Sequence, residues 1–256
     1  MQKILIKNLF HKLTLILQKI IYNLYYYSSK PKDLTKLLRK KSWLKKFQSF
    51  DQKNRELLFF RVNPFLWTNR SEQLFSGYYM EFGCFGCKTM SMCWKHTRHF
   101  FDLEYLAFDS FEGLPEITKI DEQPIWKKGR LSMSENDFKK PIFKDGMLES
   151  RLTTIKGFYE LSLNKKLAAQ FKKKAILFIY VDCDLYKLIV PVLKFVKSFL
   201  QKGTITAFDD WNCFWGDKKR GQRRAWSEFC QKNKNLVFEP FSSDHYIKSF
   251  TFIGFK

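Results

Sequence analysis

The chain has 256 residues, of which 45% are hydrophobic, so it can bury a substantial core and wholesale disorder is excluded. Lysine and arginine outnumber aspartate and glutamate by 46 to 25, which gives a formal net charge of +21. Such a charge suggests an anionic partner, either nucleic acid or a membrane surface. A composition rich in lysine and phenylalanine is equally what an A/T-rich coding sequence would produce, so both explanations stay open at this point.

The excess positive charge is concentrated in residues 1–50, which hold twelve basic residues and one acidic residue, Asp33. Apolar residues recur at near-helical spacing over residues 4–27 with lysines between them, which predicts an amphipathic basic helix. Residues 28–31, with the sequence SSKP, end this helix, and a second basic helical segment is predicted from about Asp33 to Phe50. Two roles for the first helix are retained: packing on its own domain or in a homodimer, and peripheral membrane contact through residues 1–29.

The sequence also carries signals about location. No stretch approaches the roughly 18 consecutive apolar residues of a transmembrane helix, and no signal-peptide cleavage site follows the apolar N-terminal segment. Several of the six cysteines lie inside predicted core elements, so we expect reduced thiols. The expected location is the cytoplasm, including a peripheral position at the inner face of the membrane.

From Tyr78 onward, short apolar runs alternate with helical stretches. Strands are predicted at 78–82, 105–108, 152–155, 176–181 and 204–208, followed by two strands at 236–238 and 247–255 that can pair antiparallel. Helices are predicted near 88–100, 134–144, 161–173, 186–201 and 218–232. This alternation predicts an α/β fold with a doubly wound sheet that is mostly parallel and has an antiparallel terminal strand. We therefore expect a basic helical region at 1–50 and a catalytic domain at 51–256.

Acidic residues follow four of the predicted strands. Ligands of open α/β sheets bind at the carboxyl ends of the strands, where these acids stand. Six carboxylates placed together would repel one another, which indicates a divalent metal, a polyhydroxyl ligand, or both. The residues at the four strand ends are Glu81, Gly83 and Gly86; Asp109 and Ser110; Asp182 and Asp184; and Asp209 and Asp210.

Three motifs make the sequence recognisable. Residues 108–116 (FDSFEGLPE), 180–186 (YVDCDLY) and 207–211 (AFDDW) resemble the signatures of the TylF/MycF, or macrocin O-methyltransferase-like, family of sugar O-methyltransferases. The resemblance runs from about Tyr78 to Phe255. It implies a class I methyltransferase-like, Rossmann-like fold and an enzyme that uses S-adenosylmethionine and Mg²⁺. The acceptor would be a sugar hydroxyl of a small molecule or of a glycoconjugate or polysaccharide precursor. A non-enzymatic module that binds nucleic acid is not expected, because the acids at the strand ends would repel phosphate.

The resemblance also implies roles for individual residues. Glu81, Gly83 and Gly86 would form the cofactor loop, and Asp109 and Ser110 would hold the adenosyl moiety. Asp182, Asp209 and Asp210 would bind Mg²⁺, and Asp184 would be the general base. The sequence departs from the family pattern at Cys87, which stands where the family usually has its second glycine.

Several alternatives stay open from the sequence alone. Asp184 could be the N-cap of the helix that follows it. The pair Asp182 and Asp184 also suits a metal-dependent glycosyltransferase. A zinc site is conceivable from Cys84, Cys87, Cys93, His96 and His99, although core thiols and surface imidazoles are the default. Aromatic residues after the metal pair, namely Trp211, Phe214 and Trp215, could stack on a sugar or belong to the core, and His245 is expected in a loop.

Overall fold

The computed structural model describes residues 41–69, 76–244 and 246–256, and side-chain environments from residue 52 onward. The strands are β1 (Ser76–Phe82), β2 (Asp102–Asp109), β3 (Leu152–Lys156), β4 (Ile176–Val181), β5 (Ile205–Phe208), β6 (Leu236–Ser243) and β7 (Lys248–Phe255). The α-helices are α1 (Lys41–Asn69), α2 (Lys88–Thr97), α3 (Glu135–Lys144), α4 (Tyr159–Ser162), α5 (Lys165–Gln170), α6 (Tyr186–Val196) and α7 (Gly221–Lys232). The helix predicted over residues 4–27 and its break at 28–31 lie outside the described residues.

The seven described strands form one sheet in the order β3-β2-β1-β4-β5-β7-β6. The pairs among β1 to β5 are all parallel, whereas β7 is antiparallel to both of its neighbours, β5 and β6. The strand order reverses between β1 and β4, which is where open α/β sheets bind their ligands. The predicted doubly wound, mostly parallel sheet with an antiparallel terminal strand is therefore confirmed.

Alternating side chains of the central strands feed two apolar layers. In β1, Tyr79 belongs to the layer beneath α1, α2 and α3, whereas Met80 and Phe82 belong to the layer that includes residues of α6 and α7. Strand β4 is buried along its whole length, as a continuous apolar run between two helical layers should be. Burial of each large apolar side chain contributes roughly 1.5–3 kcal/mol to the stability of the folded state. The two layers therefore hold the strands, and with them the strand ends, in place.

Helix α1 continues well beyond the predicted end of the second basic segment at residue 50. The extension buries Leu58, Phe59, Val62 and Leu66, which recur at helical spacing against the sheet. Asn54–Lys256 forms one compact unit, which thus includes this part of the helix. The expected boundary between residues 50 and 51 stays a prediction.

Other helices differ from the predictions at their ends. The helix expected over 161–173 is two short helices, because the side chain of Asn164 accepts a hydrogen bond from the N–H of Leu167 and so begins α5 anew. The helix expected over 186–201 ends at Val196 and continues as a 3-10 turn. Within the three described segments, no helix has the length and apolar character needed to cross a membrane.

Candidate active site

A cleft of about 320 Å³ opens where the parallel strands end. Its walls come from the segments that follow β1, β2, β3, β4 and β5. Of the predicted site residues, all but Glu81 line it: Gly83, Gly86, Asp109, Ser110, Asp182, Asp184, Asp209 and Asp210. The topology therefore brings together residues that lie up to 127 positions apart in the sequence.

The loop after β1 depends on backbone conformations that glycine favours. Gly83 has φ +85°, and a Cβ there would lie 1.9 Å from the carbonyl oxygen of Asp182. Gly86 has φ +82°, but a Cβ at this position would meet open space. Cys87 adopts φ 55°, the left-handed conformation that a glycine would take without strain. Cys87 thus forms a tight turn that leads into α2.

Glu81 is 1% exposed and does not line the cleft. Its Oε2 accepts a hydrogen bond of 2.6 Å from the hydroxyl of Tyr79. Burial raises the pKa of Glu81 to about 8, against the lowering effect of that hydrogen bond. If Glu81 supports the cofactor loop as predicted, it does so from within the core and without direct contact with a ligand in the cleft.

Asp109 connects the end of β2 to the loop after β1. Its Oδ2 accepts from the N–H of Cys84 at 2.7 Å, and its Oδ1 accepts from the N–H of Phe111 at 2.6 Å. Each carboxylate oxygen keeps one further acceptor position for a ligand hydroxyl. Ser110 beside it donates to the carbonyl of Gly113 and accepts from the N–H of Glu112. These hydrogen bonds hold the pair at the cleft wall.

Three acids, named here the carboxylate cluster, converge after β4 and β5: Asp182, Asp209 and Asp210. One carboxylate oxygen from each lies within 4.8 Å of the others. Oδ2 of Asp210 is buried and has no hydrogen-bond donor among the described residues, although the carboxyl group of Asp184 lies within hydrogen-bonding reach of that of Asp210. A set of hard oxygen donors with one buried oxygen left over fits Mg²⁺. Burial, followed by the charges of Asp209 and Asp210, raises the pKa of Asp182 well above its ordinary value.

Arg55 of α1 enters this cluster. Its Nε donates to Oδ1 of Asp209 at 3.0 Å and its Nη2 donates to Oδ2 at 2.5 Å. The hydroxyl of Tyr180 also donates to Oδ1 of Asp209. Asp209 is therefore the most heavily hydrogen-bonded of the three acids.

Asp184 lines the cleft close to the cluster. Strand β4 ends at Val181, so the chain turns before Asp184, and both Asp182 and Asp184 can face the cleft. Burial, and then the charge of Asp182, raises the pKa of Asp184 to about 8. Asp184 also shares a second group of potential ligand atoms with Asp210 and Cys213.

The first turn of α6 is capped by a different acid. Asp121, which is 0% exposed, accepts from the N–H groups of Tyr186 and Lys187 at 2.7 and 3.1 Å. The N-cap residue of α6 is Leu185, with no side-chain cap of its own. The N-cap alternative for Asp184 is therefore wrong, because a residue 65 positions upstream of Tyr186 satisfies the helix terminus.

The three aromatic residues after the cluster have different environments. Trp211 packs against Phe208 and Phe250, and Phe214 is 3% exposed beneath the guanidinium of Arg220. Only Trp215 of the three is fully exposed, on a backbone with φ 60°. Trp215 therefore has the most accessible ring of the three, but it does not line the cleft.

The zinc alternative finds no support among the described residues. Their two groups of potential metal ligands contain neither a histidine nor Cys84, Cys87 or Cys93. The thiols of Cys84 and Cys93 are buried in the core, and His96 stacks on Phe59. His245 lies outside the described residues.

Sequence reasoning missed three parts of the site. Arg55 lies in a stretch for which no element was predicted, although the apolar spacing from Leu58 to Leu66 would have extended the helix through it. The cap residue Asp121 gives no local signal, since its partners lie in another motif. Gly157, Phe158 and Tyr159 line the cleft after β3, where no acid drew attention to the strand end.

Comparisons with known proteins support the fold. No protein-family model matches the chain, and no curated protein matches it. Its structure resembles CalS11, a calicheamicin methyltransferase (TM-score 0.59, 15% identity, 91% of this chain and 90% of that chain covered). It also resembles the O-methyltransferase NovP (TM-score 0.59, 16% identity, 78% of this chain and 79% of that chain covered). A third similar structure is the apo form of CalS11, a TDP-rhamnose 3'-O-methyltransferase (TM-score 0.52, 16% identity, 93% of each chain covered). The fold is therefore class I methyltransferase-like.

Proposed function

We propose that the protein is an S-adenosylmethionine-dependent O-methyltransferase of the TylF/MycF type. Its acceptor would be a sugar hydroxyl of a small molecule or of a glycoconjugate or polysaccharide precursor. The observation that carries the proposal is one cleft in which a glycine turn and Asp109 stand beside the carboxylate cluster. The structural neighbour CalS11, a TDP-rhamnose 3'-O-methyltransferase, agrees with this substrate class, and NovP is likewise an O-methyltransferase.

The cofactor half of the cleft suits an adenosyl ligand. Asp109 has free acceptor positions for the two ribose hydroxyls, and the turn at Gly83 and Gly86 brings backbone close to the cleft without side chains in the way. Phe158 and Leu131 add apolar surface for a base. These residues bind and orient the ligand and take no part in proton transfer.

The acceptor half would direct a hydroxyl. When bound, S-adenosylmethionine supplies an electrophilic methyl group and Mg²⁺ supplies a Lewis acid that acidifies a sugar hydroxyl. Asp182 and Asp210 would hold the metal together with Asp209. Asp184, which the cap at Asp121 leaves available, is placed to accept the hydroxyl proton. Asp184 and Asp209 are buried, so little water reaches these two carboxyl groups.

A binding experiment tests the cofactor assignment. S-adenosylhomocysteine should raise the melting temperature by mass action, and Asp109→Ala should remove most of that rise relative to the variant's own ligand-free melting temperature. Asp102→Ala is the matched control, since Asp102 begins the same strand at its other end and is exposed in an ion pair with Arg151. A rise with a UDP-sugar and Mn²⁺, and none with S-adenosylhomocysteine, would favour the glycosyltransferase instead.

A turnover experiment tests the metal assignment. Methyl transfer should be lost in EDTA and restored by Mg²⁺, and Asp182→Asn should lower the rate by on the order of a hundredfold or more, because it removes a group that positions the nucleophile. Binding of S-adenosylhomocysteine should change far less, since its pocket is built from other strand ends. Full activity in EDTA would contradict the metal assignment while leaving the cofactor assignment intact.

A further inference from the structure

The carboxylate cluster already has a positively charged partner within the protein. Arg55 makes a two-point hydrogen-bonded ion pair with Asp209, with side chains 22% and 4% exposed. Paired N–H groups on one carboxylate form one of the strongest side-chain interactions, and limited solvent access reduces its screening. Arg55 also lines the cleft itself. It is therefore part of the site and not a surface charge that happens to lie nearby.

Helix α1 fixes the direction of this arginine. Phe59 lies one helical turn further on and so shares a face with Arg55. The ring of Phe59 is 0% exposed and lies 5.9 Å from that of Tyr180 and 5.6 Å from that of Phe178, both on β4. Because Tyr180 in turn donates to Asp209, the helix, the strand and the acid are packed as one assembly. The guanidinium is held towards Asp209 by a buried aromatic anchor.

The hydrogen bonds of Asp209 leave little room for another cation. Its Oδ1 accepts from both Arg55 and Tyr180, and its Oδ2 accepts from Arg55. A carboxylate has about four acceptor positions, so one remains, on Oδ2. A divalent ion bound by all three acids would share Asp209 with a guanidinium only 2.5 Å from that same oxygen, and the two positive charges would repel each other.

We propose that Arg55 is an internal cation that competes with the divalent metal for Asp209, so that metal binding requires the guanidinium to withdraw. This inference rests on the proposed function, because it takes the carboxylate cluster as the metal site. Arg55 is a positioning residue in this scheme: it neutralises and orders Asp209 when no metal is bound. The wild-type protein then binds the metal more weakly than its three acids alone would.

Direct titration with Mn²⁺, followed by the electron paramagnetic resonance signal of the free ion, tests the competition without any turnover. We expect Arg55→Gln to bind Mn²⁺ at least tenfold more tightly than the wild type, and Arg55→Lys, which keeps the charge but loses the two-point geometry, to fall between them. Arg61→Gln is the matched control and should bind as the wild type does. Arg61 lies on the same helix but is exposed and donates to Ser242 of β6.

Every result of this titration bears on the competition. Weaker Mn²⁺ binding in Arg55→Gln would mean that Arg55 orients Asp209 for the metal, and equal binding would mean that the guanidinium does not compete; either overturns the inference. If Arg55→Gln does not fold, the same comparison is made with Arg55→Lys, whose affinity must still exceed that of the wild type.

The proposed function is judged separately, by S-adenosylhomocysteine binding in the same samples. If none of the proteins binds Mn²⁺ while all bind S-adenosylhomocysteine, the metal site and the competition are both wrong and the cofactor assignment stands. If Arg55→Gln binds Mn²⁺ more tightly but no protein binds S-adenosylhomocysteine, the competition stands and the methyltransferase assignment is wrong.

Discussion

Two buried aspartates near the start of α6 differ in what surrounds their carboxyl groups. Asp121 accepts two backbone N–H groups of the first turn of α6, where an acid is also favoured by the helix dipole. Burial raises the pKa of both acids. At Asp121 the two backbone hydrogen bonds oppose that rise, whereas at Asp184 the charge of Asp182 adds to it. A buried carboxyl group beside another acid is typical of functional sites.

Paired substitutions separate these two roles. Asp121→Ala should lower the free energy of unfolding by about 1–2 kcal/mol, because it leaves two N–H groups of the helix terminus without their acceptor. Asp184→Ala should leave the free energy of unfolding unchanged within about 0.5 kcal/mol or raise it, because it removes a carboxyl group that is unfavourably buried beside Asp182. Urea denaturation in EDTA measures both values. An equal loss of stability in the two variants would mean that Asp184 has a structural role as well.

At the scale of elements, the turn after β1 is the tightest junction of the site. Gly83 approaches the backbone of Asp182 so closely that the ends of β1 and β4 could not both keep their positions if a side chain stood between them. Gly86 has almost the same φ but faces open space. The two glycines thus separate the effect of backbone conformation from that of close approach.

Substituting each glycine by alanine measures the two effects. Gly86→Ala should lower the free energy of unfolding by about 1 kcal/mol, which is the penalty for an L-residue in the left-handed region. Gly83→Ala should cost several kilocalories per mole more and should also weaken S-adenosylhomocysteine binding, because the strand ends that form the cleft must separate. Denaturation curves and a binding titration on both variants check this. Similar losses for the two substitutions would show that the junction can widen freely.

At the scale of the whole molecule, buried acids make stability depend on pH. The pKa of Glu81 is raised to about 8 in the folded protein, chiefly by burial, from an ordinary value of 4.5. Between these two values the folded state holds a proton that the unfolded state has lost. The free energy of unfolding must therefore fall as the pH rises from about 4.5 to about 8.

Glu81→Gln should remove this contribution. The glutamine oxygen can still accept from the Tyr79 hydroxyl, and any cost of burying its amide nitrogen does not vary with pH. The difference in unfolding free energy between variant and wild type should therefore move in favour of the variant by roughly 3–5 kcal/mol between pH 4.5 and 8. Urea denaturation in EDTA across this range measures it. Parallel pH profiles for the two proteins would mean that Glu81 is ionised in the folded state.

The amino-acid sequence alone was enough to predict the sheet and the aspartates of the cleft. Strand-helix alternation fixes a parallel sheet, and in such a sheet the residues after each strand meet at one edge, so Asp109, Asp182 and Asp209 could be placed together from their positions alone. The sequence showed that Cys87 departs from the glycine pattern of the TylF/MycF family that its motifs resemble. It did not show that the backbone of Cys87 is left-handed.

The pairing of side chains, by contrast, became evident only from the folded structure. Arg55 reaches Asp209 across 154 positions, and Asp121 caps a helix 65 positions away. Neither pairing produces a periodic or local pattern in the sequence. A side-chain hydrogen bond depends on the positions of its two atoms to within a few ångströms, and packing sets those positions. Strand ends follow from regular backbone geometry, whereas the ion pair between Arg55 and Asp209 follows from where Phe59 anchors α1 on the sheet.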